Sequence, residues 1–130
     1  MKKVIFYKNE RGDSPVEEFL ESLTDKQAKK VAWVLRIIRD LDLIPKEYFK
    51  KLVSTDIWEV RVQVGSNTIR ILGFFDGNNF IVLTNGFHKK TQKTPKKEIE
   101  TAEKRMKEYI NRSKRNGWFR NIYRKKKIKE

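Results

Sequence analysis

Trp58-Glu59-Val60-Arg61-Val62-Gln63-Val64-Gly65-Ser66-Asn67-Thr68-Ile69-Arg70 reads as two strands joined by a tight turn, and it decides the fold. Side chains alternate across a strand, so Trp58, Val60, Val62 and Val64 share one face while Ile57, Glu59, Arg61 and Gln63 share the other. The first face is apolar and belongs against a helical layer. Gly65-Ser66 suits a two-residue hairpin loop, which pairs Val64 with Asn67 and sets Arg61 directly opposite Arg70. Like charges directly opposite on a sheet repel, whereas guanidinium forks match phosphate, so an anion between the two would account for the alignment. The competing reading pairs Arg61 with Glu59 or another nearby carboxylate and lets Arg70 snorkel.

A third strand, Phe80–Phe87, follows Thr68–Phe75 across the turn Asp76-Gly77-Asn78-Asn79. Pairing Phe75 with Phe80 places Asn85 beside Arg70, giving a polar row of Arg61, Arg70 and Asn85. It also puts Leu72, Phe74, Ile81, Leu83 and Phe87 on the arginine face. These residues form either a platform on which bases stack or a second core beneath a C-terminal helix.

Upstream, Val4–Tyr7 reads as a strand, and Ser14-Pro15-Val16-Glu17 starts a helix over roughly 15–22 with a cap, a first-turn proline and a capping carboxylate. Thr24 and Gln27 cap a second helix, whose Ala28, Val31, Ala32, Val34, Leu35, Ile38 and Leu41 recur at helical spacing to about residue 42, before Pro45. A short strand is expected near Lys51 to Val53. Downstream, Thr94-Pro95 opens a last helix with Ile99, Ala102, Met106, Tyr109 and Ile110 on one side. That periodicity stops after Arg112. The expected architecture is therefore α+β: an N-terminal strand and helical hairpin on a mainly antiparallel sheet, with a C-terminal helix. The folded domain spans 1–112, and 113–130 is a basic tail and a candidate mobile appendage.

The chain has 130 residues, 38% of them hydrophobic, and this content, including Trp33, Trp58, Trp118 and eight Phe, is enough for one domain with a packed core. It has no cysteine, which excludes disulfides and thiolate metal sites and fits a reducing, cytoplasmic compartment. No apolar run is long enough for a membrane span, and the charged N-terminus reads as a strand rather than a signal peptide. The formal charge of +14 points to a polyanionic partner, with solubility as the bland alternative. Position favours the first: residues 1–65 carry 13 Lys/Arg against 11 Asp/Glu, residues 66–130 carry 18 against 6, and the tail alone is net +7. The excess sits in the second half.

Between the last strand and the last helix lies His88-Lys89-Lys90-Thr91-Gln92-Lys93-Thr94-Pro95-Lys96-Lys97, five lysines without an acid, ending where free helix amides attract anions. The run Gly86-Phe87, Lys89-Lys90-Thr91-Gln92-Lys93-Thr94-Pro95, Glu98-Ile99 and Ala102 resembles the HigB-like, phage-derived branch of the RelE/ParE toxin superfamily. Phe6-Tyr7, Gly12, Ser14-Pro15-Val16, Phe19-Leu20, Lys51-Leu52, Trp58 to Val62 and Arg70-Ile71 agree with it, so the likeness spans about residues 4–110. The resemblance implies a RelE-like fold, a type II toxin that cleaves mRNA, usually on the ribosome, and a cognate antitoxin that often carries a helix-turn-helix domain. It places the catalytic cations at Arg61, Arg70, Lys89 and Lys90, with Lys51 and Lys93 beside them. Where the family pattern has a histidine two residues before the motif's Phe, this chain has Asn85.

Cleaving RNA without a metal needs a base for the ribose 2′-OH, cations for the charge that develops at phosphorus, and an acid for the leaving 5′-oxygen. No spacing of ligands suggests a metal or other cofactor. The single histidine, His88, alternates away from Arg70, whereas a lysine crowded by cations can exchange protons nearer neutrality, which makes Lys89 and Lys90 the candidates. Candidate RNA contacts are Lys51, Asn85, His88, Lys93, Lys96 and Lys97, with Arg124, Lys125 and Lys126 of the tail docking on ribosomal RNA. Two rival readings are a ParE-like gyrase inhibitor and a non-catalytic phage protein that binds RNA or protein.

Overall fold

The computed structural model describes the backbone of residues 1–129 and the side chains of residues 1–116. Its elements run β1 (Lys3–Phe6), α1 (Pro15–Glu21), α2 (Asp25–Asp40), β2 (Phe49–Lys51), β3 (Trp58–Val64), β4 (Asn67–Asp76), β5 (Phe80–His88) and α3 (Lys96–Lys129). The strands form one sheet in the order β1-β5-β4-β3-β2, antiparallel except where β1 runs parallel to β5. This is the α+β architecture expected from the sequence, and it is consistent with a RelE-like fold.

Local chemistry starts each helix where the sequence places it. The Ser14 hydroxyl accepts from the Glu17 amide ahead of Pro15 in α1. In α2 the capping box closes both ways, Thr24 accepting from the Gln27 amide and Gln27 from the Thr24 amide, at 3.2 and 3.1 Å. The β3–β4 turn is the two-residue loop Gly65-Ser66, and Gly65 takes the left-handed φ of 57° that this turn requires.

The sheet buries both of its faces. On one, Val16 of α1 and Val31, Val34 and Ile38 of α2 pack on Val60, Val62, Ile69, Ile71, Ile81 and Leu83. On the other, Ile57, Leu72, Phe74 and Val82 meet Tyr7 and Ala102, with Ile99, Met106, Tyr109 and Phe87 around them. Each fully buried aliphatic side chain contributes about 1.5–3 kcal/mol, so α3 holds to the sheet through this second core. Leu72, Phe74 and Phe87 are thus packed under the helix.

Four expectations change in detail. The short strand is Phe49–Lys51 rather than 51–53, because Phe49 stacks on Trp58 with ring centroids 4.8 Å apart. The β4–β5 hairpin pairs Asp76, not Phe75, with Phe80, and a β-bulge next to Leu72 and Gly73 leaves Thr84 as the extra residue. As a result Ile81 and Leu83 face the α1–α2 side, Phe87 lies opposite Arg70, and Asn85 lies opposite Leu72. Trp33, part of the hydrophobic content counted toward the core, is 40% exposed. Finally, α3 does not end with its apolar periodicity at Arg112 but continues to Lys129. The side chains of Arg124, Lys125 and Lys126 lie outside the described residues. Among the described residues no helix is long and apolar enough to cross a membrane.

Candidate functional site

Arg61 and Arg70 are paired across β3 and β4, as the hairpin arithmetic requires. The negative charge between them comes from the chain itself. Glu59, one pleat along β3 from Arg61, directs Oε1 toward both guanidiniums, 3.5 Å from Arg61 Nε and 3.4 Å from Arg70 Nε. Its other oxygen accepts a hydrogen bond from the Thr94 hydroxyl, which ties the loop before α3 to the middle of the sheet. The Glu59 and Arg70 side chains are 3% and 10% exposed, against 31% for Arg61. The pairing of Arg61 with Glu59, one of the two sequence readings, is the one formed, and Arg70 joins it.

The carboxylate does not saturate the arginines. The contacts are ion pairs at the long end of the range, and both Nε atoms are buried without a hydrogen-bond partner. Burial, with Arg61 adding to it, lowers Arg70 below the ordinary guanidinium value, against the pull of Glu59. Lys89 leaves β5 with its amide bonded to the Thr68 carbonyl at 2.8 Å and its side chain half-buried beside the cluster. Burial lowers the Lys89 ammonium from the ordinary lysine value; Glu59 opposes this, and Arg70, Arg61 and Lys50 lower it further. Four cations surround one carboxylate, a surplus of three positive charges at a partly dry site. Such a site suits a phosphate or a phosphorane.

The remaining sequence candidates distribute around this centre. Lys51 pairs with Trp58 and so points to the opposite face; Lys50 pairs with Glu59 and takes the place beside it. Sequence reading missed Lys50 because the expected strand began at Lys51 and left Lys50 outside it. Asn85 is 5% exposed and its amide nitrogen donates to the Glu98 carbonyl and carboxylate at 3.2 and 3.0 Å, while its Oδ1 accepts from the Thr84 hydroxyl at 2.6 Å. It joins α3 to the sheet and does not extend the arginine row. His88 pairs with Ile69 on the α1 side and packs edge-on against Phe19, ring centroids 5.4 Å apart, away from the arginines. Lys90, Lys93, Lys96 and Lys97 are exposed along the loop and the first turn of α3. Thr94 and the bridging position of Glu59 were also missed as site features, although Glu59 shares the Arg61 face in the alternation.

Among the described residues no three His, Asp or Glu side chains gather in a group able to hold a metal ion. No curated protein matches the chain. The profile of the family described as phage derived protein Gp49-like (DUF891) matches residues 18–107, which runs from α1 through the arginine-bearing strands and the lysine loop into α3. That match covers more than half of the 130 residues, and the chain belongs to the phage-derived Gp49-like family.

Proposed function

We propose that the chain is the toxin of a toxin–antitoxin pair, an endoribonuclease that cleaves mRNA under translation in the cytoplasm. The observation that carries this reading is the buried Glu59 holding Arg61 and Arg70 side by side, with Lys89 half-buried next to them. The family match and the sequence resemblance to HigB-like toxins support it.

In this reading the ribose 2′-oxygen attacks the neighbouring phosphorus, the bond to the 5′-oxygen breaks, and a 2′,3′-cyclic phosphate and a 5′-hydroxyl result. Arg61 and Arg70 stabilise the charge that grows on the phosphoryl oxygens. Glu59 is a positioning residue: it offsets the mutual repulsion of the arginines and fixes both forks. Lys89, with its affinity for a proton reduced, takes the proton from the 2′-OH, and the leaving oxygen is protonated from solvent. Lys50, Lys90, Lys93, Lys96 and Lys97 bind flanking phosphates, and the cations of the tail dock on ribosomal RNA. The antitoxin, of the helix-turn-helix kind by resemblance, neutralises the toxin by covering this cationic face.

Primer extension on translated messages after brief induction tests the proposal. Cuts within open reading frames are expected with the native chain and absent with Arg70→Ala. Growth arrest with intact messages and altered DNA supercoiling would instead assign the fold to gyrase inhibition.

A further inference from the structure

α2 carries a feature that its core stripe does not use. Lys26, Lys29, Lys30 and Trp33 fall at i, i+3, i+4 and i+7, so they form one row on the helix surface. With Gln63, Val64 and Gly65 of the β3–β4 hairpin this row lines a cleft of about 460 Å³ that contains no acidic side chain. Trp33 is 40% exposed, and its indole is held edge-on by Tyr48, ring centroids 5.5 Å apart. The Lys30 ammonium sits over the indole, 4.5 Å from the centroid. A lone exposed aromatic needs no explanation. An oriented indole inside an acid-free row of three lysines is a different matter, because a π-face beside ammonium groups is what a nucleotide requires.

The cleft is continuous with the arginine site. A second depression of about 340 Å³ shares Lys30 and Gln63 with it, and is lined further along by Tyr48, Arg61 and Arg70, with Glu47 as its one acidic side chain. Gln63 lies two residues along β3 from Arg61 and on the same face, a strand rise of about 7 Å. One oligonucleotide can therefore reach both.

We infer that the Lys26-Lys29-Lys30-Trp33 row binds a single-stranded RNA segment flanking the arginine site, stacking one base on Trp33 and pairing phosphates with the lysines. The inference rests on the arginine cluster being an RNA site. Charge selects this occupant: the row offers three lysines and an aromatic face, and its cleft has no carboxylate for a basic partner.

The test is fluorescence anisotropy of a labelled 12-nucleotide single-stranded RNA, 2′-O-methylated throughout so that it cannot be cleaved. Trp33→Ala should bind about 10-fold or more weakly than the native chain, the loss of one base stack, while Trp33→Phe keeps most of the affinity. Lys26→Gln/Lys29→Gln should flatten the salt dependence of binding. Indole quenching by the RNA should diminish in Trp33→Phe. Thermal unfolding of Trp33→Ala checks that the domain is intact, since loss of the Tyr48 contact lowers stability without removing the core. Unchanged RNA affinity in a folded Trp33→Ala protein overturns the inference, as does loss of antitoxin binding alone. Cleavage by the native chain, read separately, keeps the two proposals apart. Trp33-dependent binding without any cleavage sinks the nuclease reading alone, and cleavage without Trp33 dependence sinks this one alone.

Discussion

Arg61 and Arg70 stand directly opposite one another on β3 and β4 and share one carboxylate oxygen, Glu59 Oε1. Removing that oxygen's charge leaves two guanidiniums facing each other, one of them buried. Glu59→Gln should destabilise the fold by about 3 kcal/mol, seen as a lower urea midpoint. Adding Arg70→Met should recover part of the loss, because the pair is then removed together; a double variant no more stable than the single one would contradict the bridging role.

Lys89 should set the pH response. Its ammonium is lowered from the usual lysine value by burial first and by Arg70, Arg61 and Lys50 after it. Between the lowered folded value and about 10.5 the unfolded chain holds a proton that the folded chain has released, so stability rises with pH across that window. The strain of the charged form is fully present below the window. Lys89→Met should therefore be more stable than the native chain at neutral pH, with the advantage shrinking as pH rises, in paired denaturation curves. Cleavage by Lys89→Ala should fall about 100-fold and lose its alkaline rise. Unchanged cleavage would remove Lys89 from the chemistry.

Asn85 joins α3 to β5 through Glu98. Asn85→Ala removes the donor to the Glu98 carbonyl and carboxylate at a buried position and should cost about 1–3 kcal/mol. Its RNA affinity, measured at a temperature where the variant is folded, should match the native chain. A large loss of affinity at full stability would return Asn85 to the binding surface.

Gly86 lies where a Cβ atom would meet the Phe19 ring at 2.4 Å. Gly86→Ala should cost about 1–3 kcal/mol through overpacking, and Phe19→Leu in the same chain should restore a share of it. Calorimetric melting of the single and double variants decides the point.

Most of the frame was legible from local signals. Ser14-Pro15 and Thr24 with Gln27 mark helix starts by their own hydrogen bonding, and Gly65-Ser66 fixes one register because few backbones fit a two-residue turn. The second hairpin was less legible. The loop 77–79 is shorter than the four-residue reading, and a bulge has no period of its own, so Ile81 and Leu83 came out on the wrong face. At the site, alternation located Arg61 and Arg70, but the sharing of Glu59 depends on how two side chains bend toward a third. Lys50 was hidden by a two-residue error in a three-residue strand. Asn85 looked free because its partner Glu98 arrives on a helix thirteen residues later.

The bulge at Thr84 works as a half-step in the phase of β5. Before it, Ile81 and Leu83 point toward α1 and α2; after it, Asn85, Phe87 and Lys89 point the other way, toward α3 and the arginines. Deleting Thr84 would regularise the ladder and leave that second set where it is. The extra residue thus lets Leu83 and Asn85, two positions apart, face opposite helical layers, so a single strand feeds both cores.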